Sequence, residues 1–130
     1  MDTSPNGSRK RHVLVVEDDL PLASSFKELL EVQGYDVSLA PNVVEAIRHV
    51  LANHTDAVVC DLQMAELEGD LFYATVEREQ PALAKRFVFI SGPPQDEHYR
   101  QFFDRVSAPV LHKPFNDLAL LVEVARMMVR

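Results

Sequence analysis

The stretch 12-HVLVVEDD-19 decides how the rest of the sequence is interpreted. Its apolar residues 13–16 form an uninterrupted run, which is typical of a parallel strand buried on both faces. Three acidic residues, Glu17, Asp18 and Asp19, follow this run directly. The stretch therefore predicts a buried parallel strand whose carboxyl end carries a concentration of negative charge.

Similar apolar runs recur along the chain and alternate with longer amphipathic segments. Further strands are predicted at 36–40, 57–61, 86–91 and 109–112, and helices at about 21–33, 42–53, 69–80, 96–105 and from 116 onward. This alternation indicates an α/β domain in which helices cover both faces of a parallel sheet. The polar residues 1–11 are predicted to form a disordered tail, and residues 12–130 a single folded domain.

Composition excludes several classes of protein. The chain has 130 residues, 47% of them hydrophobic, which suffices for one domain with its own core. No apolar run is long enough for a membrane span or a signal peptide, so we expect no membrane insertion and a cytoplasmic location. The net charge of −7 argues against nucleic-acid binding, and the single cysteine, Cys60, excludes an internal disulfide and a Cys-based zinc site.

Chemically capable side chains follow four of the five predicted strands. The acids 17–19 end the first strand, Asp61 the third and Ser91 the fourth, and Lys113 follows the fifth. Because the carboxyl ends of parallel strands meet at one edge, we expect these residues to lie together. A polar residue at a strand end often only caps the next helix, which is the role expected for Asp19. Four strand ends that supply complementary groups indicate a functional site.

The chemistry of these groups favours metal-assisted phosphoryl transfer. Two carboxylates about 5 Å apart repel each other by about 3 kcal/mol at an effective dielectric of about 20, so such a cluster needs a cation. Oxygen ligands without His or Cys favour Mg²⁺. Lys113 can neutralise a phosphate oxygen and Ser91 can donate a hydrogen bond to it, while Asp61 serves as the nucleophile that forms an aspartyl phosphate.

These residues resemble those of the receiver domains of response regulators in bacterial two-component signalling, including the chemotaxis regulators. The matching motifs are VLVVEDD (13–19), VVCDLQM (58–64), Gly69, FISG (89–92) and HKPF (112–115). The resemblance covers residues 12–130. It implies a flavodoxin-like, doubly wound parallel sheet of five strands in the order 2-1-3-4-5, with five helices.

The resemblance also implies a role for each site residue. Asp61 is the phosphoacceptor of a phosphorelay, assisted by Ser91 and Lys113. The groups that the resemblance places around Mg²⁺ are Glu17 (through a water), Asp18, Asp61 and the backbone carbonyl of Gln63. Beyond the self-catalysed phosphorylation of Asp61 and its hydrolysis, no enzymatic activity is expected.

Partners follow from the same resemblance. The implied phosphoryl donor is a histidine kinase or a histidine phosphotransfer protein. The implied output is a downstream protein that binds the face formed by the fourth predicted helix, the fifth strand and the fifth predicted helix. The chain is interpreted either as a single-domain regulator or as a part of a larger protein such as a hybrid kinase.

Two positions bear on alternatives to this function. Val110 occupies a position where receivers usually carry Tyr or Phe, so the alternative is a receiver-like binding module that works without phosphorylation. A phosphatase with an aspartate nucleophile is disfavoured, because it would need a second acid two residues after Asp61, where Gln63 stands. The remaining polar and sulfur-containing side chains are assigned to packing (His112, Cys60) or to surface charge (Asp56, Asp104).

Overall fold

The computed structural model describes residues 10–63, 69–92 and 100–129. Its strands are β1 (His12–Val16), β2 (Asp36–Ala40), β3 (Ala57–Asp61), β4 (Phe87–Ser91) and β5 (Val110–His112). Its helices are α1 (Leu20–Val32), α2 (Val43–Ala52), α3 (Gly69–Glu79), α4 (Pro81–Ala84), α5 (Arg100–Arg105) and α6 (Asp117–Met127). Residues 1–9 of the predicted tail and 96–99 of the predicted fourth helix lie outside the described residues.

The five strands form one parallel sheet in the order β2-β1-β3-β4-β5, which confirms the predicted fold and strand order. From β1 the chain passes to β2 on one side, and from β2 it crosses back to β3 on the other side of β1. The direction of winding therefore changes between β1 and β3. In sheets of this kind, ligands bind beyond the carboxyl ends of the strands at that point.

Two apolar layers, one on each face of the sheet, hold the fold together. Alternate residues of β1, β3 and β4 point into each layer, which is why these strands read as uninterrupted apolar runs. One layer is completed by α1 and α6, and the other by α2, α3, α4 and α5. Cys60 is fully buried in the second layer, as predicted, and burial raises the pKa of its thiol.

Polar caps set the starts of three helices. Asp19 accepts a hydrogen bond from Leu22 N (3.2 Å), and thereby begins α1 as predicted. The side chains of Asn42 and Asn116 begin α2 and α6 in the same way. Each such cap stabilises its helix by about 1 kcal/mol. Gly34, with a φ of +94°, ends α1 in a backbone conformation that favours glycine.

The helix count differs from the prediction. Pro81 was expected only to end a helix, but it also begins the short helix α4. Proline suits the first position of a helix, where its missing N–H would have no partner. The fourth and fifth predicted helices therefore correspond to α5 and α6. None of the helices in the described ranges has the length and apolar character needed to cross a bilayer.

The amino edge of the sheet holds a buried carboxylate that we predicted to be a surface charge. Asp56 is only 5% exposed, so that prediction was wrong. Its oxygens accept hydrogen bonds from His12 N (2.8 Å) and His54 Nε2 (2.9 Å), and Arg11 lies 3.6 Å away. Burial alone would raise the pKa of Asp56, but these hydrogen bonds and the charges of His54 and Arg11 hold it below its ordinary value.

A pair of histidines joins β1 to α2 at the same edge. The Nε2 atoms of His12 and His49 lie 3.2 Å apart. The side-chain amide of Asn53 lies 3.4 Å from Nδ1 of His49. Burial, followed by the neighbouring His12, lowers the pKa of His49. We call His12 and His49 the histidine pair.

Candidate functional site at the carboxyl edge of the sheet

Asp61 lies at the centre of the site. It ends β3 and is only 1% exposed. Lys113 Nζ donates to Oδ2 of this carboxylate at 2.8 Å, and Gln63 N donates to Oδ1 at 2.7 Å. The parallel sheet brings Lys113 to Asp61 across 52 residues of sequence. The carboxylate is thus fixed in orientation and partly neutralised.

Glu17 is a second buried carboxylate in the site. It follows β1, is 4% exposed and accepts a hydrogen bond from Asp19 N through Oε2 (3.1 Å). Its other oxygen, Oε1, is buried without a hydrogen-bond partner in the described part of the chain. Burial, followed by the Asp61 carboxylate, raises the pKa of Glu17 to about 8, although the Asp19 N–H and the Lys113 charge act in the opposite direction. A full negative charge on Glu17 beside Asp61 is therefore unfavourable unless a cation compensates for it.

Ser91 and Asp18 stand at the ends of β4 and β1, the two strands that flank β3. Ser91 ends β4 and is 6% exposed, and its carbonyl accepts a hydrogen bond from Lys113 N at 2.9 Å. Asp18 lies on the exposed side of this edge, next to Glu17. The structure thus places every predicted site residue on the same edge. The hydrogen bonds and charge interactions connect Glu17, Asp61, Gln63, Ser91 and Lys113.

Side chains alone do not make a complete metal site here. Within residues 10–63, 69–92 and 100–129, no group of three His, Cys, Asp or Glu side chains is arranged to hold an ion. Mg²⁺ usually keeps several waters and takes only one or two carboxylates. The buried Oε1 of Glu17 and the carboxylate of Asp61 are oxygen donors of the kind that suits Mg²⁺.

A hydrogen bond that the sequence did not reveal fastens β5 to the end of β4. His112 Nδ1 donates to the carbonyl of Gly92 at 2.8 Å. Together with the bond from Lys113 N to Ser91 O, it ties residues 91–92 to residues 112–113. We predicted a packing role for His112, and a His before the Lys gave no signal of this contact. We call these two hydrogen bonds the β4–β5 clasp.

Known proteins with similar sequences come from two-component signalling. The model of the response regulator receiver domain family matches residues 13–125. The sensor kinase CckA of Brucella abortus is 30% identical over 118 residues, which are 89% of this chain and 12% of CckA. The response regulator MprA of a Mycobacterium species is 42% identical over 57 residues, which are 44% of this chain and 25% of MprA. The chain thus spans a quarter or less of these relatives.

Solved structures share the fold over nearly the whole chain. The non-phosphorylated HemR receiver domain of Leptospira biflexa is 27% identical with a TM-score of 0.80, covering 93% of this chain and 96% of that one. The response regulator TrrA of Thermotoga maritima, in complex with Mg²⁺ and BeF, is 24% identical with a TM-score of 0.76, covering 90% and 98%. With the family match over residues 13–125 and the same five-stranded fold, the chain belongs to the response regulator receiver domains of two-component signalling.

Proposed function

We propose that this receiver domain accepts a phosphoryl group on Asp61 and that phosphorylation changes its contacts with other proteins. The setting of Asp61 carries the proposal. The carboxylate lies at the switch in strand order, is almost completely buried, and is held by Lys113 and the Gln63 N–H. A buried carboxylate beside an ammonium group suits a nucleophile whose product carries additional negative charge.

In this mechanism an oxygen of Asp61 attacks the phosphorus of a phosphohistidine. The new P–O bond forms as the P–N bond breaks, and the leaving imidazole takes up a proton. The Gln63 N–H keeps the carboxylate in orientation, and Lys113 neutralises charge on the phosphoryl oxygens. Ser91, at the end of the neighbouring strand, donates its hydroxyl proton as a hydrogen bond to one of these oxygens.

We propose Mg²⁺ as the cation of the site. Glu17 (through a water), Asp18, Asp61 and the backbone carbonyl of Gln63 would hold it. The unpartnered Oε1 of Glu17 supports this assignment, because a buried carboxylate oxygen normally has a partner. When bound, Mg²⁺ neutralises charge on the phosphoryl group during transfer.

The test is phosphorylation by a small phosphodonor. The protein is incubated with acetyl phosphate and Mg²⁺, and intact mass spectrometry measures the addition of a phosphoryl group. We expect addition to the wild type and to Asp104→Asn, a change of an exposed aspartate, but not to Asp61→Asn. A wild type that stays unmodified, under conditions that label another receiver domain, would contradict the proposal.

The proposed partners follow from the family. A histidine kinase or a histidine phosphotransfer protein supplies the phosphoryl group, and a downstream protein binds the face formed by α5, β5 and α6. The β4–β5 clasp supports this choice of face, because it connects Ser91 and Lys113 to the strand at its centre. A cytoplasmic location stays a prediction.

The second candidate is a binding module that works without phosphorylation, and Val110 favours it. This residue of β5 is half-buried and packs against the apolar layer that includes Phe89 and Phe102. Because valine has no aromatic ring, the rotation of a ring cannot be part of a switch at this position. Partner affinity that is equal before and after verified phosphorylation would support this second candidate over the first.

A further inference from the structure

A cleft of about 310 Å³ opens between α3 and α5. One wall is formed by four residues of α3, namely Asp70, Tyr73, Ala74 and Glu77. The other wall is formed by Phe102 and Arg105 of α5 and by Val106, which follows this helix. We call it the α3–α5 groove. None of these residues takes part in the proposed phosphoryl transfer.

The α3 wall has the geometry of a hole for a side chain of another helix. Its four residues stand at positions i, i+3, i+4 and i+7, the set that surrounds an inserted side chain where two helices pack together. Ala74 is small and exposed, so the surface of α3 has a depression between the larger side chains of this set. The Tyr73 and Phe102 rings, in edge contact with centroids 5.7 Å apart, give the groove an apolar base. The shape suits one aliphatic side chain.

The charges around this hole select the partner. Asp70 and Glu77 are exposed and lie seven residues apart on α3, about 10 Å along the helix axis, with Ala74 between them. Glu77 stands four residues after Tyr73 on α3 and thus lies on the same side of the helix. Arg105 stands on the opposite wall, 5.9 Å from the centre of the Phe102 ring. The α3 wall is thus negative at both ends of an apolar hole.

We propose that the α3–α5 groove binds an amphipathic helix of a partner protein. That helix inserts a Leu- or Met-sized side chain over Ala74 and presents Lys or Arg residues, about one heptad apart, to Asp70 and Glu77. The charge and the spacing of the α3 wall specify this occupant.

The position of the groove couples it to the site, and this part of the inference rests on the proposed function. Among the described residues, its α3 wall belongs to the first helix after Asp61, and its α5 wall to the first helix after Ser91. Phosphorylation that moves Ser91 therefore changes the separation of the two walls. Helix binding in the groove is expected to differ between the phosphorylated and the unphosphorylated protein.

A titration with a defined peptide tests the groove. The probe is an acetylated, amidated alanine-based helix with one central Leu. It carries two Lys residues, one on each side of the Leu, that are seven positions apart from each other. The control peptide carries Glu in place of both Lys residues. NMR spectra of the full ¹⁵N-labelled chain should show saturable shifts in α3 and α5 with the Lys peptide, and about tenfold weaker binding of the Glu peptide, a difference that salt reduces.

Two variants make the result specific. Ala74→Leu fills the hole and should weaken binding about tenfold, whereas Ala52→Leu, the same change at an exposed position of α2, should leave it unchanged. Shifts that do not saturate, that map outside α3 and α5, or that persist in Ala74→Leu would overturn the proposal. Self-association that sedimentation detects in the wild type and that Ala74→Leu abolishes would show a second copy as the occupant, and would overturn the partner helix.

The coupling is tested separately. The titration is repeated after labelling with acetyl phosphate, with intact mass as the measure of phosphorylation. Affinity for the Lys peptide that changes at least about threefold supports the coupling. An unchanged affinity in verified phosphoprotein overturns the coupling alone. If the chain binds the peptide but takes up no phosphoryl group, the result contradicts the proposed function and still supports helix binding in the groove.

Discussion

Lys113 is the residue on which the electrostatics of the site depend most. It is the cation within 2.8 Å of Asp61, and Glu17 adds a second buried carboxylate nearby. Removing its charge leaves these carboxylates uncompensated, so Lys113→Gln should lower the free energy of unfolding by about 1–3 kcal/mol. Lys10→Gln, which removes a charge from an exposed pair with Asp36, should change it by less than about 0.5 kcal/mol. Urea unfolding in metal-free buffer measures both, and equal effects would contradict this interpretation.

Metal binding is a second prediction about individual side chains. A ligand at ten times its dissociation constant stabilises the folded state by about 1.4 kcal/mol, so millimolar MgCl₂ should raise the melting temperature. NaCl at the same ionic strength is the control for screening of the acidic surface. The increase should disappear in Asp18→Asn and persist in Asp104→Asn. A melting temperature that responds equally to both salts would contradict the proposal that the site binds Mg²⁺.

At the scale of elements, the histidine pair makes the contact of α2 with β1 dependent on pH. Burial and His12 lower the pKa of His49, so the folded state binds fewer protons than the unfolded state, whose histidines titrate near 6.5. This contribution to stability is complete above pH 6.5 and is lost as the pH falls through the lowered pKa. Asn53 contacts the His49 ring, and Asp56 accepts a hydrogen bond from the backbone N–H of His12.

Urea unfolding at pH 7.5 and 5.5 checks this prediction in the wild type and in His49→Gln. The wild type should lose more stability than the variant as the pH falls. Comparing the two proteins isolates His49, because the other titratable groups are the same in both. An identical loss in both proteins would show that the histidine pair does not resist protonation.

Most elements could be predicted because their signals are local. The apolar runs of β1, β3 and β4 reflect burial on both faces, and Asp19, Asn42 and Asn116 are caps that contact only their own helices. The helix α4 was missed because Pro81 can both end and begin a helix. The burial of Asp56 was missed because its partners, the His12 N–H and Arg11, come from a distant part of the sequence.

The candidate site was predictable to the same degree. Strand ends meet at one edge of a parallel sheet, and so Asp61, Ser91 and Lys113 could be placed together from the sequence. The unpartnered oxygen of Glu17 and the hydrogen bond from His112 to Gly92 depend on distances between elements, which no pattern of residues encodes. The roles of these residues in phosphoryl transfer stay predictions.

At the scale of the whole molecule, the β4–β5 clasp should make the ends of two strands move as a unit. Phosphorylation that draws in Ser91 and Lys113 should therefore change hydrogen exchange in β4, α5 and β5 more than in β2 and α2. Ser91→Ala should still be phosphorylated on Asp61, but should show a smaller change in exchange. Mass spectrometry measures both quantities in one sample. If phosphorylation changed hydrogen exchange in Ser91→Ala as much as in the wild type, the Ser91 hydroxyl would have no part in the conformational change.

The contact between Lys113 and Asp61 also bears on how the chain folds. It closes across 52 residues and requires β3, β4 and β5 to be aligned in one sheet. Parallel ladders of this kind form slowly, because each needs a long crossover before any pairing is gained. A nascent or partly folded chain therefore lacks the ammonium group beside its acceptor. On the proposed function, only molecules that have completed the sheet would respond to the signal, and the rate of phosphorylation after dilution from urea would follow the completion of folding.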